Sequence, residues 1–423
     1  MTFDLIIRNG RVVDGTGEPE RRADVGIVAD RIAAIGDLSN AAAASDIDAA
    51  GSVVAPGFID THAHSDAYLL LEPDAPSKLA QGVTTEVNGQ CGGSAVPRLG
   101  QARLSSDWAS QTYPVHTSRG VETSPISGPT WTTVADYRKL FEAVRPALNT
   151  VQFIGHNTLR AGVMGYAPQA AAPEQVKEMQ RRLEQALEEG GWGLSTGLLY
   201  QPGKYAAADE VTLLARTAAS KGGLYATHMR SEGDQLLESV NEVLALSREA
   251  GIQVQISHLK TSGKANWHKI DAVLERLNQA RAEGLNVQAD RYPYTAAGTD
   301  LDVVLPDWAS AGGRDAILNT LRQPETRKRV EAELDAEGRE WSTVMIGGGW
   351  SPTVRAFSGR TVAEAATELG LSAGETVCRF IDADDTRTGA FFFGMCEANL
   401  RRIYAQPWIM PGSDASVRAP WGP

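Results

Sequence analysis

Cysteine is scarce in this chain of 423 residues: Cys91, Cys378 and Cys396 are all it has. Three cysteines do not make a disulfide framework, and the count suits a reducing cytoplasm. Nowhere do about 18 apolar residues run together, so no membrane span is expected. The opening Met1-Thr2-Phe3-Asp4-Leu5-Ile6-Ile7 lacks the basic stretch and the apolar core of a secretory signal. Positive charge is in deficit too. A net charge of −12 argues against a general binder of nucleic acid or acidic membrane, while leaving room for a local basic pocket that takes a small anionic substrate. Internal repeats and low-complexity tracts are missing, apart from the Ala-rich Asn40–Ala44, read as a solvated loop. What remains is an ordinary globular composition, 42% apolar and 22% charged. Its length allows one large α/β barrel with additions, or roughly two to three ordinary domains.

Histidine is the other rarity, seven in all, yet two stand one residue apart. The apolar run Val53 to Ile59 reads as a buried strand leading into His62-Ala63-His64. Side chains at i and i+2 of a strand share a face, so both imidazoles converge at the strand's exit. That is the arrangement a metal such as zinc needs.

Upstream, residues 3–57 read as short strands and turns: Asp4–Asn9, Arg11–Asp14 after an Asn9-Gly10 turn, Asp24–Val28, Arg31–Gly36 and Gly51–Val54. Asn-Gly and Asp-Gly at such spacing are hairpin signals, so a small β unit over 1–54 is expected. Downstream, strands alternate with helices. Gly82–Asn88 is a strand ending before Cys91, and 97–133 has the look of loop. Val134–Val144 reads as helix, Val151–Gly155 as a strand closing on His156, and Pro173–Glu189 as an amphipathic helix stopped by Gly190-Gly191. Strands Gly193–Thr196, Leu224–Thr227, Ile252–Ser257 and Asn286–Asp290 then alternate with helices Ala208–Lys221, Asp234–Ala250 and Trp267–Glu283. Trp408–Pro411 is the last strand and leads into Gly412-Ser413-Asp414.

Counted this way the buried strands number eight, with polar residues at their C-terminal ends. This is the pattern of an α/β (β/α)8 TIM barrel, whose active site lies at those ends. The barrel would occupy 55–293 and 403–423. Residues 294–402 are too long for one connection and carry their own helices (Gly313–Leu321, Glu325–Glu337, Thr361–Leu369) and a Val344–Gly347 strand. They read as a subdomain inserted between strands 7 and 8.

His62, His64, His228 and His258 stand at the ends of three of these strands, which marks a metal centre. Taken singly, His228 or His258 reads equally well as a buried histidine bonded to backbone. Cys91, in Asn88-Gly89-Gln90-Cys91-Gly92-Gly93, is either an inert core thiol or a thiolate ligand on a flexible loop. The context favours the ligand. Asp414 sets a carboxylate beside the metal, where it can act as base rather than only as ligand; the competing reading is a helix N-cap.

Several motifs together resemble one family. Val-Ala-Pro-Gly-Phe-Ile-Asp-Thr-His-Ala-His, Gly-Val-Thr-Thr-Glu-Val-Asn-Gly-Gln-Cys-Gly, Gly155-His156-Asn157-Thr158-Leu159-Arg160, Gly193-Leu194-Ser195-Thr196-Gly197, Thr227-His228-Met229-Arg230, Ile256-Ser257-His258-Leu259-Lys260, Tyr292-Pro293-Tyr294-Thr295 and Gly412-Ser413-Asp414 look like the N-acyl-D-amino-acid deacylases, or D-aminoacylases. These belong to the metal-dependent amidohydrolase superfamily, and the cysteine motif is specific to this branch. The resemblance implies zinc, one ion tightly bound with room for a second, weaker one. It implies that Cys91, His228 and His258 hold it chiefly, with His62, His64 and Asp414 as the other half of the site. It implies too that Lys260, Arg291 and Tyr292 hold the substrate's α-carboxylate. Lys260 lies two residues past His258 on the same strand face and Arg291 ends the seventh strand, which suits carboxylate recognition. A solvated rim charge is the alternative for both. His156 is expected to orient the neighbouring site or the substrate.

The activity implied is hydrolysis of N-acyl-D-amino acids, with Asp414 as general base. A cyclic-amide hydrolase of the hydantoinase or dihydroorotase kind would share barrel and metal, and a non-catalytic scaffold derived from such enzymes is a third reading. Arg418 could meet an acidic substrate side chain or be a loop charge. The family continues well beyond Gly-Ser-Asp, whereas this sequence ends at Pro423. A truncated C-terminal end is therefore expected, with an unfinished barrel and an exposed β edge.

Overall fold

A computed structural model describes residues 2–102, 115–117, 120–122 and 131–417. The chain divides into two units, Met1–Phe58 and Ile59–Pro423. The first unit is a sheet of β1 (Phe3–Val12), β2 (Arg21–Val28), β3 (Arg31–Gly36) and β4 (Ala43–Asp48) in the order β3-β2-β1-β4, with β5 (Val53–Val54) also on β1. Two expectations are corrected here. Asn9-Gly10 is not a hairpin turn: β1 runs through it as one strand, and the register against β2 slips between Ile7 and Gly10 with Asn9 at φ 61°. A positive φ at Asn, which tolerates the left-handed region, thus makes a bulge instead of a reversal. The Ala-rich segment is not all loop either, because Ala43–Asp48 pairs parallel to β1. Small alanines gave no β signal, and the pairing partner supplied it.

The run Val53–Ile59 is likewise two strands, and not the buried one expected: Val53, Phe58 and Ile59 are exposed at 48%, 60% and 54%. Val53-Val54 belongs to β5, and after Ala55-Pro56-Gly57 the barrel begins with β6 (Phe58–Asp60). Proline has no N–H to give a ladder, so the run breaks there. The barrel continues with β7 (Val83–Asn88), while β8 (Val115–Thr117) and β9 (Gly120–Glu122) form a separate antiparallel pair. Next come β10 (Asn149–Gln152) and β11 (Ile154–Gly155), which bridge the two halves of the wall. On one side the order is β10-β7-β6. On the other, β11 is followed by β12 (Gly193–Gly197), β13 (Leu224–His228), β14 (Val254–Ile256), β15 (Val287–Arg291) and finally β19 (Ile409–Pro411).

The ring is not unfinished. Thr61 N–H donates to Pro411 O (3.3 Å), Asp414 N–H to His62 O (2.8 Å), and Ala63 bridges Ala415 in parallel, so the last strand closes on the first. Strands covered on both faces should be almost wholly buried, and every residue of β12 is. The outer helices follow a spacing of three and four. Pro173–Glu188 buries Val176, Met179, Leu183, Ala186 and Leu187 and stops before Gly190 at φ 113°. A helix not foreseen, His156–Met164, starts directly after β11.

Between β15 and β19, β16 (Ala297–Asp300), β17 (Val344–Ile346) and β18 (Gly389–Phe392) form an antiparallel sheet ordered β16-β18-β17. Helices Arg314–Arg322, Pro324–Ala336, Val362–Leu369 and Ala373–Ala383 pack around it on a second apolar core that includes Leu301, Val330, Val377 and Phe380. Among the described residues no helix is long and apolar enough to cross a membrane.

Candidate metal centre

The C-terminal strand ends bring the expected donors together. His62 follows β6, Cys91 sits in the loop after β7, His228 ends β13, His258 follows β14 and Asp414 follows β19. Cys91 Sγ is 3.4 Å from His62 Nε2 and 3.3 Å from His258 Nε2. Asp414 Oδ1 is 3.1 Å from His64 Nε2 and 3.4 Å from His62 Nε2. One donor atom each from His62, Cys91, His258 and Asp414 lies within 4.8 Å of the others. His228 joins by its ring, edge-on to His258 at 4.5 Å between centroids.

Three of these residues have left-handed backbone: Cys91 at φ 53°, His258 at φ 39° and Asp414 at φ 53°. Non-glycine residues hold such conformations only where their surroundings impose them. Around Cys91 the imposition comes from Asp66. Its carboxylate accepts from Gly89 N–H (3.2 Å) and Ala95 N–H (3.2 Å), fixing both shoulders of the loop.

The charges are arranged for a cation. Burial works to raise the Cys91 thiol, but His258 and His62 outweigh it and hold it well below the ordinary range. Burial likewise opposes ionisation of Asp414, and the same two imidazoles hold its carboxyl well below the usual carboxylate range. Burial and Lys260 oppose protonation of His258, yet Glu232, Cys91 and Asp414 push it up to about 9. His64, also resisted by burial, is pushed up to about 10 by Asp414 and Cys91. Protons on the imidazoles thus balance the thiolate and the carboxylate, which is the charge a divalent ion would bring. His228 supplies a further test. It is buried, and neither ring nitrogen has a hydrogen-bond partner. Buried polar groups are rarely left unpaired, and imidazole, thiolate and carboxylate form a zinc donor set. The residues fit the ion.

Several residues beyond the expected set join the site. Asp290, buried at the end of β15, lies 3.1 Å from His62 Nδ1 and accepts from His258 N–H (2.7 Å). Such a carboxylate orients a ligand imidazole. It sits at a strand end beside Arg291, so the rule that found the histidines also reaches it. Glu232 lies 2.9 Å from His258 Nδ1, 3.6 Å from His228 Nε2, and is ion-paired to Lys260. Tyr200 sets its ring edge-on to His228, 4.8 Å between centroids. Both come from irregular segments, where no periodicity marks them.

Lys260 is buried, bonded to Glu232 and 2.7 Å from His258 Nδ1, so it is no rim charge. Arg291 is buried too. Its Nη2 donates to Tyr294 O (2.7 Å), while Nε and Nη1 have no partner. It lies 4.0 Å over the ring of Tyr292, whose hydroxyl is equally unpartnered. His156 is placed differently from expectation. As the first residue of a helix it turns to Glu210 Oε1 (2.8 Å), which also holds Arg160. Arg418 lies outside the described residues.

Comparison with known proteins identifies the family. The model of the amidohydrolase family matches residues 46–335. N-acyl-D-glutamate deacylase of Alcaligenes xylosoxydans xylosoxydans is 38% identical over 97% of this chain and 74% of its own length. D-aminoacylase of the same organism is 35% identical over 97% and 74%. The crystal structure of N-acyl-D-glutamate deacylase from Bordetella bronchiseptica, complexed with zinc and a phosphonate that mimics the tetrahedral intermediate, has a TM-score of 0.78 at 34% identity, covering 98% of this chain and 76% of that one. The chain therefore belongs to the amidohydrolase family, among its N-acyl-D-amino-acid deacylases, hydrolases of linear amides.

Proposed function

We propose that this chain hydrolyses the amide bond of N-acyl-D-amino acids, releasing a carboxylate and the free D-amino acid, with zinc as its metal. One observation carries the reading: donors from His62, Cys91, His258 and Asp414 meet at the same barrel end as a buried Arg291 with two unpartnered guanidinium nitrogens. Cys91, His228 and His258 would hold the ion most tightly, with His62, His64 and Asp414 completing the site. Bound there, zinc supplies Lewis acidity, polarising a carbonyl and acidifying water.

The chain's own groups do the rest. Asp414, kept ionised, accepts a proton from the attacking water and delivers it to the leaving amine nitrogen. The free Nε and Nη1 of Arg291 and the hydroxyl of Tyr292 suit a carboxylate, which takes paired donors well. Lys260 Nζ lies 5.6 Å from the centre of the same Tyr292 ring and adds positive charge beside that subsite. The test is a turnover screen of zinc-loaded protein on N-acetyl-D-amino acids, with the L series and hydantoins alongside and metal content measured. Turnover confined to the D series is expected. Faster turnover of hydantoins, or none of the D series by protein carrying zinc, would overturn the reading.

A further inference from the structure

Beneath Asp414 lies a buried charge cluster to which neither the metal nor the carboxylate subsite assigns a role. Lys78, in the short helix Pro76–Leu79, is only 4% exposed. Its ammonium donates to Asp60 Oδ2 (2.7 Å), Ser413 Oγ (2.9 Å) and Ala415 O (3.2 Å), with Glu86 Oε1 at 2.8 Å. Asp60 binds Ser413 twice, accepting from its N–H (2.8 Å) and its hydroxyl (2.6 Å). Ser413 Oγ in turn accepts from Ala415 N–H (3.2 Å). Both neighbours of Asp414 are thus anchored through one serine hydroxyl and one lysine. Asp414 itself gives its N–H to His62 O (2.8 Å). The preceding Gly412 allows the close approach, since a Cβ there would lie 2.7 Å from His62 Cβ.

Burying a lysine with two carboxylates is costly, and such clusters add little net stability. A left-handed aspartate is costly as well. The two meet at a single residue. We propose that Lys78, Asp60 and Ser413 form a clasp that imposes the left-handed turn at Asp414 and so aims its carboxylate between His62 and His64. Lys78 and Ser413 are positioning residues: they touch neither the metal donors' reactive atoms nor the Arg291 subsite, and act through the backbone of residues 413–415. Misplacing a catalytic group by about 1 Å costs on the order of a hundredfold in rate, so a clasp that small can matter. This inference rests on the proposed role of Asp414 as base.

Ser413→Ala and Ser413→Thr make the test, because neither leaves a buried charge unpaired as Lys78→Met would. Ser413→Ala is expected to lower kcat between about tenfold and a hundredfold with KM and zinc content nearly unchanged, and Ser413→Thr, which keeps the hydroxyl, to recover most of the loss. A crystal structure of Ser413→Ala should show Asp414 out of the left-handed region and its carboxylate withdrawn from His64. That geometric arm stands whether or not the chain deacylates the expected substrates. If Ser413→Ala keeps φ at 414 and the carboxylate in place, the clasp is overturned. If it moves them while Asp414→Asn leaves activity intact, the clasp stands and the role of Asp414 as base falls. Equal kcat in Ser413→Ala and the parent chain, with Asp414→Asn inactive, also overturns the clasp.

Discussion

Asp414 combines left-handed backbone, a half-buried carboxylate and two imidazole neighbours, which suits a group that handles a proton. If it moves the proton, Asp414→Asn should lose kcat by about 10²- to 10⁴-fold while zinc content stays near that of the parent. Kinetics with metal analysis check this, and retained turnover would refute it. His156 makes a different prediction. Burial works to raise Glu210, but its bonds to His156 and Arg160 outweigh burial and hold it below the ordinary 4.5. A depressed native pKa means the unfolded chain binds the proton more readily. The stability Glu210 contributes is therefore complete above about pH 4.5 and lost as pH falls through the lower native value. Glu210→Gln should cost about 3–5 kcal/mol at neutral pH, since it strands buried Arg160, and should flatten the acid limb. Denaturant midpoints from pH 3 to 7 (roughly the span of this linkage) would measure both. Without an ionisable group at 210 and with an unchanged acid limb, the linkage would have to lie elsewhere.

At the scale of elements, the loop carrying Cys91 is held by the Asp66 carboxylate and also needs a residue without a side chain at 92. Gly92 has φ 75°, and a Cβ there would lie 2.3 Å from Asn157 Oδ1 and 2.5 Å from Gly197 N. Gly92→Ala should push the loop off β12 and release zinc, measured as a lower metal stoichiometry. Gly222, at φ 73° with nothing within 4 Å of a Cβ, is the control. Gly222→Ala should cost about 1 kcal/mol of backbone strain and leave metal content unchanged. Equal metal loss in both would show that strain alone, and not crowding beside β12, unseats Cys91. Elements were legible to the extent that their signals are local. Val134–Val144 and Arg31–Gly36 have the bounds that periodicity indicates. Helix Ala373–Ala383, absent from the expected set, has a readable start signal in the capping box of Ser372 and Glu375. Helix His156–Met164 shows no such sign: its N-cap is Gly155 without a side-chain bond, and six of its first residues, His156 to Ala161, are buried. An all-round buried helix has no amphipathic period to read.

Among the described residues of the larger unit, one large apolar core lies inside and around the barrel, a second in the segment between β15 and β19, and a small third joins Leu69, Ala75, Leu148 and Val417. Phe380 is fully buried in the second, so Phe380→Ala should cost about 3–5 kcal/mol. Because the metal donors all lie on barrel strand ends, zinc content should be unaffected, and parallel loss of zinc would mean the segment supports the centre directly. Zinc itself should stabilise by mass action, about 2.7 kcal/mol at a hundredfold excess over its Kd, with the midpoint falling on chelation and recovering on reloading. What the sequence by itself determined is the inventory: apolar runs of strand length, most of them leading to histidine, cysteine, aspartate or arginine. Residue type and period are local properties and survive in one dimension. Which donor faces which was decided only by ring closure, where Pro411 meets Thr61 and Asp414 meets His62 across some 350 residues of chain. The approach of Glu232 to His258, the turning of His156 away to Glu210, and the left-handed backbone at Cys91, His258 and Asp414 arise the same way. Each is imposed by hydrogen bonds and packing from distant segments, which no local pattern records.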